Sequence, residues 1–147
     1  MLLFTVNILP EPQKQTRFVM RGKYPQAYNP SADYIKHIQW QLKAYAPEEP
    51  IYSSVELTLN FYLPMPKATS NRMRQQMLNG KVMHIKRPDI DNLAYAVTNA
   101  GKGILYDDDS QIVRLICQKM YSDNPRIVIK VRDLADSIFN FNLGEIC

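Results

Sequence analysis

The most regular pattern in the chain runs from Val55 to Leu63, where Val55, Leu57, Leu59, Phe61 and Leu63 alternate with Glu56, Thr58, Asn60 and Tyr62. A period of two puts every second side chain on one face, so the segment predicts a half-buried strand, closed by Pro64 and Pro66. Near the start, Leu3 to Leu9 is a short apolar run that ends at Pro10 and predicts a first strand. It has no basic flank and soon meets Glu11, unlike a secretory signal. Residues 11–29 are polar and basic, with Arg17, Arg21 and Lys23 among Tyr24 and Tyr28, and read as a loop. Helical spacing follows. Tyr34, Ile35, Ile38, Leu42 and Tyr45 recur along one stripe, with Asn29 as cap, Pro30 at the first helical position and Pro47 as the stop. Trp40 lies off that stripe.

Beyond Pro66, Ser70 is placed to cap a short basic helix through Leu78, and Gly80 to end it. Residues 81–88 read as a connector. From Asp89 or Asp91 the apolar side Ile90, Leu93, Ala94, Val97 and Ala100 predicts a further helix, ended by Gly101 and Gly103. Gln111 to Tyr121 is strand-like, Asp123-Asn124-Pro125 signals a turn, and Arg126 to Arg132 alternates through Ile127, Ile129 and Val131. That pair reads as an antiparallel hairpin. The expected architecture is one α+β domain over residues 1–133, a small mixed or antiparallel sheet packed with helices. The apolar tail 134–147, with Ile138, Phe139 and Phe141, is expected to form a short helix or a partner-docking arm.

Composition narrows the chemistry. The chain has 147 residues, enough for one domain with its own core, and five glycines, too few for a phosphate-cradling loop. No P-loop or dinucleotide fingerprint is present, so no nucleotide cofactor is expected. Cys117 and Cys147 form neither a disulfide framework nor a metal cluster, which suits a reducing cytoplasm. No apolar run approaches the ~20 residues of a membrane span. His37 on the first helix and His84 in the connector read as surface or loop histidines, and Cys117 as a small core residue.

The net charge of +4 hides an uneven distribution. No acid occurs from Leu57 to Pro88, while Lys67, Arg72, Arg74, Lys81, Lys86 and Arg87 all fall there. Five of the 14 acids then arrive together: Asp89, Asp91, Asp107, Asp108 and Asp109. With those five set aside, 18 bases face nine acids. A basic body around an acidic spot suits a polyanion held about a metal.

Arg87-Pro88-Asp89-Ile90-Asp91-Asn92-Leu93 puts two carboxylates at a helix start, and Asp107-Asp108-Asp109 follows where that helix ends. Hard oxygen ligands with no Cys or His beside them point to Mg²⁺, with Mn²⁺ as substitute, and such a site among Lys and Arg suits phosphodiester hydrolysis. The plainer reading makes Asp89 an N-cap, Asp91 a helix-dipole partner and the triple aspartate a solvated turn. Spacing alone leaves both open.

These blocks resemble the RusA family of Holliday junction resolvases, whose pattern is [KR]-P-D-x-D-N-L, a helix, then D-D-x-Q-[VI]. Here the second block is Asp108-Asp109-Ser110-Gln111-Ile112. Lys119 falls at the lysine usual on the following strand, and the resemblance covers residues 86–131. It implies a homodimeric, Mg²⁺-dependent endodeoxyribonuclease that cuts four-way (Holliday) junctions in recombination and repair, often phage or prophage encoded. It further implies that Asp89, Asp91 and Asp109 are catalytic and metal-binding, with Asp108 as the neighbouring acid. Asn92 would tie the motif loop down, with Tyr95 and Gln111 completing the motif. Lys81, Lys86, Arg87, Lys119, Arg72 and Arg74 would hold DNA.

One position departs. The best-known member has a catalytic lysine four residues after the second aspartate of the first block, and here that residue is Tyr95. A phenol brings no positive charge to a pentavalent phosphate. Lys102, roughly 10 Å further along the helix, is expected to be a poor substitute, and Lys86 and Lys119 better ones. Weaker cleavage is therefore expected. The alternatives are a junction-binding protein with lost catalysis, or a carboxylate–metal module of another kind.

Overall fold

The long alternating strand lies at the centre of the sheet. In the structure, a computed structural model that describes residues 1–135, β1 (Leu2–Val6), a hairpin of β2 (Arg17–Arg21) and β3 (Tyr24–Tyr28), and α1 (Ala32–Lys43) come first. Then follow β4 (Val55–Leu63), α2 (Asn71–Leu78), α3 (Ile90–Gly101), a single 3-10 turn at Asp109–Gln111, β5 (Ile112–Tyr121) and β6 (Arg126–Asp133). The main sheet has the order β1-β6-β4-β5. β4 pairs antiparallel with β6 and parallel with β5. The α+β expectation holds.

Alternation in β4 becomes burial. Val55, Leu57, Leu59, Phe61 and Leu63 turn into the core against α1 and α3, meeting Ile38, Leu42, Leu93 and Val97. The opposite face is polar. There Glu56 sits between Arg114 of β5 and Arg132 of β6, at 3.3 and 3.9 Å, and Arg126 lies over the Tyr62 ring at 3.8 Å.

Several expectations are corrected. Gln111–Tyr121 and Arg126–Arg132 do not pair with each other, because β4 lies between them. The turn at Asp123-Asn124-Pro125 is real, but it steps across the end of β4, where the Ser122 amide donates to the Leu63 carbonyl at 2.8 Å. Pro64 turns the β4 chain away and leaves room for a crossing of two strand spacings, ~10 Å. Residues 11–29 are a hairpin rather than a loop. Gly22, at φ +66°, occupies the first of two central positions, which demands a positive-φ residue in a type II′ turn.

The first helix begins at Ala32, with Ser31 rather than Asn29 at its N-cap; the Asn29 Oδ1 instead accepts from the Ser31 amide at 2.9 Å. Tyr45 falls beyond α1 and is exposed. Ser70 caps α2 as expected, accepting from the Met73 amide at 3.3 Å. The expected docking tail lies outside the described residues from 136 onward. Among the described residues, no helix is long and apolar enough to cross a membrane.

Candidate active site

α3 and the loop before it carry the first acid block. Residues Lys86 to Pro88 have few backbone partners of their own, and the site is fixed by a side chain from β5. The Lys119 Nζ donates to the Lys86 carbonyl at 2.7 Å and to the Pro88 carbonyl at 3.0 Å. Asp89 follows in an extended conformation as the N-cap of α3. Its backbone carbonyl accepts from the Leu93 amide, yet its side chain makes no capping bond. The plain capping role is therefore not the one the carboxylate performs. Asp91 is exposed in the first helical turn, where the positive end of the helix dipole favours it.

The second block is built differently. Tyr106 is fully buried, and its hydroxyl donates to the Thr98 carbonyl of α3 at 2.7 Å. Burial pushes that phenol's pKa well up, and the charge of Asp109 adds to the shift. Asp107 donates its amide to the Ile51 carbonyl. Asp108 caps the 3-10 turn: its carboxylate accepts from the Ser110 amide at 3.1 Å, while its own amide donates to the Gln111 Oε1 at 2.7 Å. Hydrogen bonding from Ser110, by its hydroxyl first and its amide second, lowers the Asp108 pKa. The Gln111 Nε2 then donates to the carbonyls of Ile51 and Ser53, tying the block to the approach to β4. Asp109 pairs with Lys102, Nζ to Oδ1 at 3.3 Å.

α3 thus separates the two blocks. Asp89 and Asp91 stand at its N-terminus, whereas Lys102 is its C-cap and holds Asp109 there. Twelve residues at ~1.5 Å each put the helix ends about 18 Å apart. Among the described residues, no three His, Cys, Asp or Glu side chains come together to hold one ion. The donor chemistry still fits a hard divalent ion at Asp89 and Asp91. Mg²⁺ commonly takes one or two carboxylates and keeps its remaining waters, and neither of these side chains has a partner among the described residues.

Two comparisons with known proteins bear on this arrangement. A relative from Bacillus subtilis (strain 168), the uncharacterized protein YqaN, is 31% identical over 136 residues, spanning 90% of this chain and 96% of the relative. The family model described as endodeoxyribonuclease RusA matches residues 7–132. The chain belongs to the RusA family of endodeoxyribonucleases.

RusA-family nucleases depend in general on divalent metals and act on branched DNA. Against that background, the basic residues of this member divide sharply. Lys81, Lys86 and Arg87, in the segment that leads into Asp89, and Arg72 on α2 are exposed. Arg74 is paired with Asp123, so its charge is partly offset. Lys119 directs its ammonium at two backbone carbonyls, those of Lys86 and Pro88. Lys102, expected to be the weaker substitute for the absent lysine, is the cation that contacts a motif carboxylate. Tyr95 is 53% exposed on the α3 face between Asp91 and Lys102. Asn92 ties down a neighbour through its backbone: its carbonyl accepts from the Gln13 amide at 3.0 Å.

His84 departs from its expected surface place. It is buried against Tyr121, ring centroids 4.7 Å apart, and its Nδ1 has no hydrogen-bond partner. Burial lowers its pKa, and the charge of Lys119 lowers it further. No local signal could have found it, since its neighbours Met83 and Ile85 are the exposed apolar ones.

Proposed function

We propose that this RusA-family protein is a divalent-ion-dependent endodeoxyribonuclease that resolves four-way DNA junctions, acting as a homodimer whose two-fold symmetry matches paired nicks across the branch. The observation that carries the reading is the pair of carboxylates, Asp89 and Asp91, without partners among the described residues, at the end of an acid-free basic stretch whose loop is held by Lys119. A Mg²⁺ or Mn²⁺ ion bound by these two aspartates would supply Lewis-acid charge and a water of lowered pKa.

The protein's own residues do the rest. Lys81, Lys86, Arg87 and Arg72 draw the DNA backbone toward α3 by neutralising phosphates. Lys119 holds the loop carrying Asp89 in one conformation, so the carboxylates are arranged before DNA arrives. Asp109 holds the Lys102 ammonium at the C-terminal end of the α3 face that carries Tyr95. Asp108 and Gln111 fix the turn that presents Asp109.

Four-way junction cleavage with and without Mg²⁺ tests this reading. Symmetric nicks that need the ion and vanish in Asp91→Asn are expected, with Mn²⁺ binding to that variant weakened in calorimetry. Tyr95→Lys is expected to raise the cleavage rate. Tight, ion-independent junction binding with no nicks would instead favour a binding protein, the reading that the phenol at position 95 supports.

A further inference from the structure

The β2–β3 hairpin belongs to no part of the core. All ten of its residues are exposed, including Phe18 at 73%, Met20 at 67% and Tyr24 at 76%. A two-stranded ribbon with no covered face is marginal in water on its own. Its pairing register sorts the side chains into two unlike faces. Arg17 lies opposite Tyr28, Val19 opposite Gln26 and Arg21 opposite Tyr24. Directly opposed residues share a face, so this side is cationic and aromatic. Phe18 lies opposite Ala27 and Met20 opposite Pro25, making the other side wholly apolar. A two-residue loop makes Arg21–Tyr24 the closing hydrogen-bonded pair, so Pro25 falls at a non-bonded pair where its missing N–H leaves the ladder intact.

The ribbon is rooted at the candidate site. Just before β2, the Gln13 amide donates to the carbonyl of Asn92, the residue after Asp91, and the Gln13 Oε1 accepts from the Asn99 amide group at 3.0 Å. The Lys14 amide donates to Ser31 Oγ at 2.9 Å, fixing the base to the start of α1 as well. The base of the hairpin therefore lies beside α3. From residue 12 to residue 32 there is no acid, against Lys14, Arg17, Arg21 and Lys23.

We propose that the β2–β3 hairpin is a branch-recognition arm. Its Arg17/Arg21/Tyr24 face grips DNA phosphates, and its Phe18/Met20 face packs on the base pairs left open at the centre of a junction. The inference deepens the junction-resolving reading and rests on it. Charge favours DNA over a protein partner on the first face. Size argues against a second copy covering the other: complete burial of its four side chains covers on the order of 500 Å², short of the roughly 800 Å² per partner of a stable interface. Apolar wedges against unstacked base steps are an established way of binding distorted DNA.

The test is fluorescence anisotropy of the full-length protein on a four-way junction and on a linear duplex, without divalent ions and across a salt series. Phe18→Ser/Met20→Ser is expected to bind duplex like the wild type but to lose about 10-fold or more of its junction preference. Arg17→Ala/Arg21→Ala is expected to weaken both DNAs and to reduce the magnitude of the salt slope by about 2. Circular dichroism melts of both variants should match the wild type, since the hairpin packs on no core residue. A junction-to-duplex ratio unchanged in Phe18→Ser/Met20→Ser overturns the arm while leaving the junction reading standing. A fall in that variant's oligomeric state by light scattering also overturns it, by assigning the apolar face to a second copy. A wild type that does not prefer junctions overturns both readings together.

Discussion

Strand β4 and the β2–β3 hairpin use the same two-residue period and meet opposite fates. In β4 every second residue is fully or almost fully buried, and strands flank it on both edges. In the hairpin an apolar side and a largely cationic and aromatic side, interrupted by Val19, lie across the ribbon, yet both remain in water. Alternation thus specifies which residues share a face, but not whether that face is covered. In one region the sorting builds the core. In the other it is available for a partner, and the core stands without it.

The sharpest way to break this contrast is to truncate an aromatic in each region. Phe61→Ala in β4 removes a fully buried ring and should cost about 3–5 kcal/mol in urea unfolding. Phe18→Ala should change stability by less than about 0.5 kcal/mol. Comparable losses would show that the hairpin packs on the core after all. A smaller effect probes the lysine that joins sheet and site. Lys119→Met leaves the carbonyls of Lys86 and Pro88 without their donor and should cost about 1–3 kcal/mol. Amide exchange should quicken around residues 86–89 and stay unchanged at the hairpin. Equal quickening in both places would contradict local anchoring.

The mildest effect is one of pH. The folded-state pKa of His84 lies below its ordinary value of 6.5, so the unfolded chain takes up that proton first as the medium is acidified. Its contribution to stability is complete above about 6.5 and is lost as pH falls from there toward the folded value. The melting temperature should decline over that window, and His84→Phe should flatten the decline. A melting temperature that rises there instead would reverse the sign and refute a neutral buried imidazole.

Much of the fold was legible because periodicity and capping chemistry act locally. β4, α3 and the Ser70 cap of α2 all declared themselves through neighbouring residues. The β5–β6 pairing did not. A turn signal such as Asp123-Asn124-Pro125 reverses the chain but does not say whether a third strand lies between the arms. The hairpin is hard to read from sequence because Phe18-Val19-Met20 run consecutively without a two-residue alternation and Pro25 stands inside the second strand. The chemistry of the site was legible as residue types, since paired aspartates in a basic setting have few uses. Its layout was not. Lys119 bonds backbone carbonyls, which any residue type at 86 and 88 would present, and the Lys102–Asp109 pair depends on how the chain returns after α3.

Gly101 carries a lesson for anyone seeking to stabilise this protein. It is a glycine within a helix, where alanine is ordinarily better by about 1 kcal/mol, and a routine engineering scan would replace it first. Yet a β-carbon there would lie 2.5 Å from the Tyr106 hydroxyl oxygen and 2.8 Å from the carbon that bears it. That ring is wholly enclosed and anchors the start of the second acid block to α3, so it has no easy way to retreat. The apparent weak point of the helix is the recess into which that anchor closes, and improving the helix there would dislodge the turn that presents Asp109.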